Sequence, residues 1–168
     1  MKRTLLLLRH AKSDWNAPHE DDHERPLAPR GVRAAGLVGR FLARTGPQPD
    51  LAIASDAVRT RETLRLAQEA GLGGRAEQSR DLYLASARAV ESLAQSTPGE
   101  VECLLLTLHE PTVSELVQRL SGARVRIPTA ALARLDFDAD RWQNLQPGAC
   151  TLRWLVTPKL LGAAFGNL

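Results

Sequence analysis

Two leucine runs constrain this chain more than anything else in it: Thr4-Leu5-Leu6-Leu7-Leu8 near its beginning and Leu104-Leu105-Leu106-Thr107-Leu108 in its second half. Each is too short for a core helix and lacks the alternation of a half-exposed strand. Such runs fit strands covered on both faces, as in a mostly parallel sheet. Each run also ends on residues that can do chemistry, Arg9-His10 after the first and His109 after the second. Ligands of open α/β sheets bind at the carboxyl ends of the strands. Two histidines and an arginine delivered there from opposite halves of the sequence predict a site.

The remaining pattern supplies the other layers. Apolar residues at helical spacing predict helices over residues 31–44, 58–70, about 85–96 and 111–120, the last with Pro111 at its first position. Strands are expected over 51–54, 101–108, 131–136 and 150–156, the last two joined by a turn and paired antiparallel at a sheet edge. Residues 71–74 read as a turn, and the tail from Pro158 has little pattern. A long polar loop, residues 11–29, follows the first strand, and loops of that length are usually functional or disordered. The expected fold is a three-layer α/β/α sandwich with a mostly parallel central sheet, one domain over residues 1–168.

Composition narrows the partners. Lys+Arg 22 against Asp+Glu 19 leaves +3, too little to argue for nucleic acid. The basic residues are mostly arginine, whose planar fork suits phosphate, although Arg-rich codon usage explains the bias as well. Lys2-Arg3 precedes an apolar run too short for a secretory signal, and no stretch approaches a membrane span. Cys103 and Cys150 lie in apolar surroundings and read as buried thiols. A cytoplasmic protein with no membrane or nucleic-acid partner is expected.

Three strand-to-helix junctions carry the candidate chemistry. At the first, the neutral imidazole of His10 is a competent nucleophile toward phosphorus, and Arg9 can grip phosphate oxygens. At the second, His109-Glu110-Pro111 opens a helix whose backbone N–H groups favour an anion, although a histidine there can also serve only as a cap. At the third, Ser55-Asp56-Ala57-Val58-Arg59-Thr60 puts Arg59 in the first helical turn, where it can reach the sheet edge or join Arg61, Arg65, Glu62 and Glu69 on a solvated face. The run His19-Glu20-Asp21-Asp22-His23-Glu24 offers metal-ligand types, but Pro18 and Pro26 frame it as a loop. No metal and no cofactor are expected; a mobile acidic flap beside the pocket is.

These segments resemble the histidine phosphatase superfamily, with its phosphoglycerate mutase-like fold. Arg9-His10-Ala11-Lys12-Ser13 is similar to its Arg-His-Gly/Ala signature. Arg25-Pro26-Leu27 with Arg30-Gly31 is similar to Arg-Pro-Leu-Thr-x-x-Gly. The stretch from Ser55 to Thr63 resembles Ser-x-x-x-Arg-Ala-x-x-Thr, and His109-Glu110-Pro111 resembles Gly-His-Asn-Pro. Their order, the short chain and Asp81-Leu82-Tyr83-Leu84-Ala85 resemble the phosphohistidine phosphatase branch, SixA-type. The resemblance implies that His10 becomes phosphorylated, that Arg9, Arg59 and His109 hold the phosphoryl oxygens, and that Ser13 and Arg25 lie at the substrate. Trp15 then packs over the mouth or anchors the loop.

The implied substrate is phosphohistidine on a protein, or a small phosphorylated molecule, with inorganic phosphate as product. Two departures stand out: Leu108 where the family favours Gly or Ser, and Glu110 where Asn is frequent. No acid sits convincingly in a motif; Glu69, Glu77 and Asp81 are the candidates. Imidazole is a better leaving group than an alkoxide, so a site without a placed acid favours phosphoramidates. The alternatives are a small-molecule phosphomonoesterase, which needs the acid, and a non-catalytic phosphate- or phosphoprotein-binding module.

Overall fold

A computed structural model describes residues 2–166. Six strands form one sheet in the order β3-β2-β4-β1-β5-β6. They are β1 (Lys2–Arg9), β2 (Leu51–Ser55), β3 (Arg75–Ser79), β4 (Cys103–Leu108), β5 (Leu132–Asp138) and β6 (Thr151–Val156). The first four are mutually parallel; β5 runs antiparallel to β1, and β6 antiparallel to β5. The helices are α1 (Pro29–Thr45), α2 (Val58–Glu69), α3 (Ala87–Gln95), α4 (Thr112–Ser121) and α5 (Pro158–Phe165). The expected three-layer sandwich with a mostly parallel sheet is the fold observed.

The leucine runs do what their composition demands. Successive side chains of a strand point to opposite faces. Leu5 and Leu7 therefore join the layer of Val90, Ala94, Val113, Leu116 and Leu120 from α3 and α4. Leu6 and Leu8 join Ala35, Val38, Leu42, Leu64 and Leu161 from α1, α2 and α5. All four are fully buried, and each contributes about 2 kcal/mol of hydrophobic stabilisation. A one-residue slip of β1 would swap the two faces but leave them equally apolar, so the pairing with β4 and β5 must fix its register.

Three elements differ from the sequence reading. β3 falls where the sequence reading assigns no element; Arg-Ala-Glu-Gln-Ser offers neither an apolar run nor alternation. It is an edge strand, largely exposed, held by its parallel pairing to β2. The tail beyond Pro158 is helical: Thr157 caps α5 by accepting from the Leu160 N–H, and Pro158 occupies the first turn, where a missing N–H costs nothing. Pro111 stands at the N-cap of α4 rather than inside its first turn. Among the described residues no helix is long and apolar enough to cross a membrane. Cys103 and Cys150 are free and buried, and burial raises both thiols to about 12.

Candidate active site

Parallel pairing places the two histidines side by side. Arg9 lies opposite Leu108 in the β1–β4 register, so the next residue of each strand, His10 and His109, leaves the sheet at the same edge. The His10 N–H donates to the Leu108 carbonyl at 3.0 Å. The two rings lie 5.3 Å apart between centroids, at 53°. Both are nearly enclosed, His10 at 8% and His109 at 5% exposure.

The nitrogens of His10 are not equivalent. Nδ1 lies 2.7 Å from the Ala11 carbonyl, which can only accept, so the ring proton sits there and Nε2 keeps its lone pair. Burial, opposed by that hydrogen bond and reinforced by the charges of His109, Arg59 and Arg9, lowers the His10 pKa to about 3. Burial and the charge of Arg59 lower His109 to about 4. Both rings are neutral at pH 7. His109 Nε2 lies 2.8 Å from Ser55 Oγ at the end of β2, while its Nδ1 is buried with no partner.

Arg59 belongs to this cluster and not to the solvated face. It is 3% exposed in the first turn of α2, whereas Arg65 pairs with Glu62 and Glu69 on the surface. Thr63, one turn further along α2, ties the helix to the loop after β1. Its hydroxyl donates to the Arg59 carbonyl at 2.6 Å and accepts the Ala11 N–H at 2.9 Å. Gly31 lets the start of α1 press against this loop, since a Cβ there would collide with the Lys12 carbonyl.

The long loop after His10 is folded. Ser13 and Leu27 form an antiparallel bridge, and the Asp14 N–H donates to the Pro26 carbonyl at 2.8 Å. Arg25 is buried inside this turn. It donates to the Ser13 hydroxyl and to Asp22, and its guanidinium lies 3.6 Å from the Trp15 ring centroid. Ser13 thus serves Arg25, and Trp15, 64% exposed, covers Arg25 from outside. Asp22 in turn reaches Arg59: its carboxylate accepts from Arg59 Nη2 at 2.9 Å. Tyr83 closes the cluster, its ring 5.6 Å from that of His109 and 4.9 Å from that of His23.

Arg9 is set to one side. Its Nη1 donates to the Ile127 carbonyl at 2.9 Å, and it lines a shallow depression with Glu110, Ser114, Arg124 and Arg126. Its charge still reaches His10. The two family departures have local explanations. Leu108 is fully buried in the strand core, and its backbone is ordinary strand, where a glycine's freedom is not needed. The Glu110 carboxylate folds back onto the first turn of α4 and accepts from the Ser114 hydroxyl at 2.7 Å.

Of the acids singled out in the sequence, Glu69 and Glu77 pair with Arg65 and Arg75, and Asp81 is exposed. Asp22 is the acid that reaches Arg59, and sequence reasoning missed it inside an acidic run. Its spacing three residues before Arg25 was the available signal. Asp21, His23 and Glu24 bring potential metal ligands within 4.8 Å of one another. Both nitrogens of His23 are nevertheless engaged, with Glu24 at 3.0 Å and Asp56 at 2.9 Å. Ser55 and Thr63, parts of the quoted motif, were also not singled out; their roles depend on which strand and loop lie beside them.

Comparisons with known proteins identify what the chain is similar to. Residues 5–82 match the model of the histidine phosphatase superfamily (branch 1). An uncharacterized protein of Mycobacterium tuberculosis strain H37Rv is 34% identical over 163 residues, 90% of this chain and 100% of the relative. Among solved structures, a candidate phosphohistidine phosphatase SixA from Nakamurella multipartitia superposes with a TM-score of 0.84 at 26% identity, covering 94% of this chain and 97% of that one. Its counterpart from Agrobacterium tumefaciens gives 0.78 at 29% identity, covering 93% and 98%. Sequence and architecture agree across nearly the whole chain, and it therefore belongs to the histidine phosphatase superfamily, on the SixA-type side of that family.

Proposed function

We propose that this protein is a metal-independent phosphatase that works through a phosphorylated His10 and removes phosphoryl groups from phosphohistidine on a protein. The observation that carries the reading is the state of His10: a buried neutral ring whose proton is committed to the Ala11 carbonyl, leaving the Nε2 lone pair for attack. In the first step Nε2 forms a bond to phosphorus as the P–N bond of the substrate breaks. The leaving imidazole nitrogen keeps the electron pair and takes a proton from water. In the second step water attacks phospho-His10, loses a proton, and releases inorganic phosphate and the free ring.

The other groups meet the charge of the transferring group. Arg59 supplies a planar fork for two phosphoryl oxygens. Ser55 engages Nε2 of His109, which leaves Nδ1, buried with no other partner, as the ring nitrogen available to a phosphoryl oxygen. Arg9 adds positive charge from the flank. The surface pairing of Glu69 and Glu77 and the exposure of Asp81 support a phosphoramidate over an alkyl phosphate, because imidazole departs with little help. The Arg25–Ser13 pair supports the loop that carries this machinery.

Hydrolysis of a phosphohistidine peptide by wild type and His10→Ala tests the proposal. Turnover by the wild type and a loss of about three orders of magnitude or more in the variant is the expected result. Acid-labile phosphate on wild-type His10 after a rapid quench completes it. Activity retained in His10→Ala sinks the mechanism, and binding without turnover by the wild type favours a binding module.

A further inference from the structure

Both terminal nitrogens of Arg59 are already occupied. Nη1 donates to the Asp22 backbone carbonyl at 2.6 Å and Nη2 to Asp22 Oδ2 at 2.9 Å. Arg25 holds the other carboxylate oxygen through Nη2 at 2.7 Å and Nε at 3.1 Å. The Tyr83 hydroxyl points to Oδ2 at 3.5 Å. Two guanidinium groups and a phenol converging on a pair of oxygens make a seat for an oxyanion. The anion seated there is a carboxylate of the chain itself.

Burial indicates which partner can move. The Arg59 and Arg25 side chains are 4% and 6% exposed, but that of Asp22 is 45% exposed. Arg59 is rooted in α2 and braced by Thr63. Asp22 opens a 3-10 turn of three residues, Asp22–Glu24, on the solvent side of the cations. Burial pushes the Asp22 carboxyl up, but its bonds from Arg25 and the charge of Arg59 outweigh this and hold it below the usual carboxylate range. It is an anion at pH 7. An ion pair with so exposed a partner contributes little net stability, so an incoming dianion can exchange it.

We infer that Asp22 is a specificity-determining residue: its carboxylate occupies Nη2 of Arg59, beside the Asp22 backbone carbonyl on Nη1, until a phosphoryl group displaces it, and then remains beside the leaving group through its hold on Arg25. Two consequences follow. A dianionic phosphoryl group outcompetes a monoanion such as a carboxylate for Arg59. A leaving group that carries its own negative charge meets the displaced carboxylate and is disfavoured, whereas an imidazole N–H has an acceptor there. The second consequence rests on the phosphatase reading above; the exchange at Arg59 rests on binding alone.

Asp22→Asn keeps the shape and removes the charge. By titration calorimetry, inorganic phosphate should bind the variant about tenfold tighter than the wild type. The ratio of kcat/KM for 3-phosphoglycerate, whose leaving group bears a carboxylate, to that for para-nitrophenyl phosphate, whose leaving group bears no charged substituent, should rise about fivefold or more. Asp21→Asn is the control: Asp21 caps the same turn through the Glu24 N–H, and phosphate affinity there should stay unchanged.

Phosphate affinity unchanged or weakened in Asp22→Asn overturns the inference. Tighter phosphate with an unchanged substrate ratio overturns its leaving-group half. Tighter phosphate in the variant, with no turnover of any substrate by either the wild type or the variant, supports the exchange and removes the phosphatase reading instead. Should the variant fail to fold, wild type labelled with 13C at aspartate carries the test. The Asp22 carboxyl signal must shift on saturation with phosphate while that of Asp21 does not, and an unmoved Asp22 signal overturns the exchange.

Discussion

Ser55 at the end of β2 holds His109 beyond the end of β4, with 2.8 Å between Oγ and Nε2. The contact exists because β2 and β4 are parallel neighbours, with Ala54 opposite Thr107. It also leaves Nδ1 as the one His109 ring nitrogen without a partner among the described residues. Ser55→Ala removes this hold and leaves a buried ring nitrogen unpaired, at a stability cost of about 1–3 kcal/mol. Activity should fall about tenfold or more, chiefly in kcat. 15N spectra of the His109 ring should show its tautomer shifting, a change that a merely structural serine would not cause.

The two site histidines should resist protonation well below pH 7. An unfolded chain takes up a proton at each near 6.5, whereas the native site holds off until about 3 at His10 and about 4 at His109. Below pH 6.5 the unfolded state therefore binds more protons, and stability declines as pH falls from that value toward 4. Each unit of depressed pKa corresponds to about 1.4 kcal/mol. Urea midpoints at pH 7, 6 and 5 should fall in that order. Ring signals of His10 and His109 at pH 5 should still be those of neutral imidazole. His23, raised by its bonds to Asp56 and Glu24, should be protonated there.

Two glycines should behave differently when given a side chain. A Cβ at Gly39 would collide with the Ala67 carbonyl where α1 crosses α2. Gly39→Ala should therefore cost about 1–3 kcal/mol of stability. At Gly31 the collision is with the Lys12 backbone, in the loop that follows His10. Gly31→Ala should lower kcat/KM about tenfold or more as well as stability, because the shifted backbone carries Ala11 and Ser13. Chemical denaturation and steady-state kinetics on both variants separate the two effects.

Chelation should leave turnover unchanged. His23 is committed to Asp56 and Glu24, and in the proposed mechanism Arg59, Arg9 and His109 meet the phosphoryl charge. Activity after extended dialysis against EDTA should match the untreated protein within about twofold. Strong inhibition, restored by a divalent cation, would make Asp21, His23 and Glu24 a metal site and contradict the proposal.

Much of the architecture was legible because the leucine runs admit few folds. Thr4–Leu8 and Leu104–Leu108 read as doubly buried parallel strands, and each handed its histidine to the carboxyl edge. Arg59 was legible only through the motif around it, since a helical arginine beside two glutamates equally describes a solvated face. β3 was not legible. Its five residues carry no burial signal, and strand structure there comes from the hydrogen bonds β2 offers.

The sequence by itself determined which residues are available: two histidines at strand ends, an arginine in a first helical turn, and a loop rich in both charges. Local periodicity and chain connectivity are enough for that. Only the tertiary structure decided how they are used. It turned Arg9 toward Ile127, folded Glu110 onto Ser114, enlisted Ser55 and Thr63 as supports, and seated Asp22 on Arg59. Side-chain partners of this kind are chosen by distance and by the need of each buried polar group for a partner. Neither is fixed until distant segments pack.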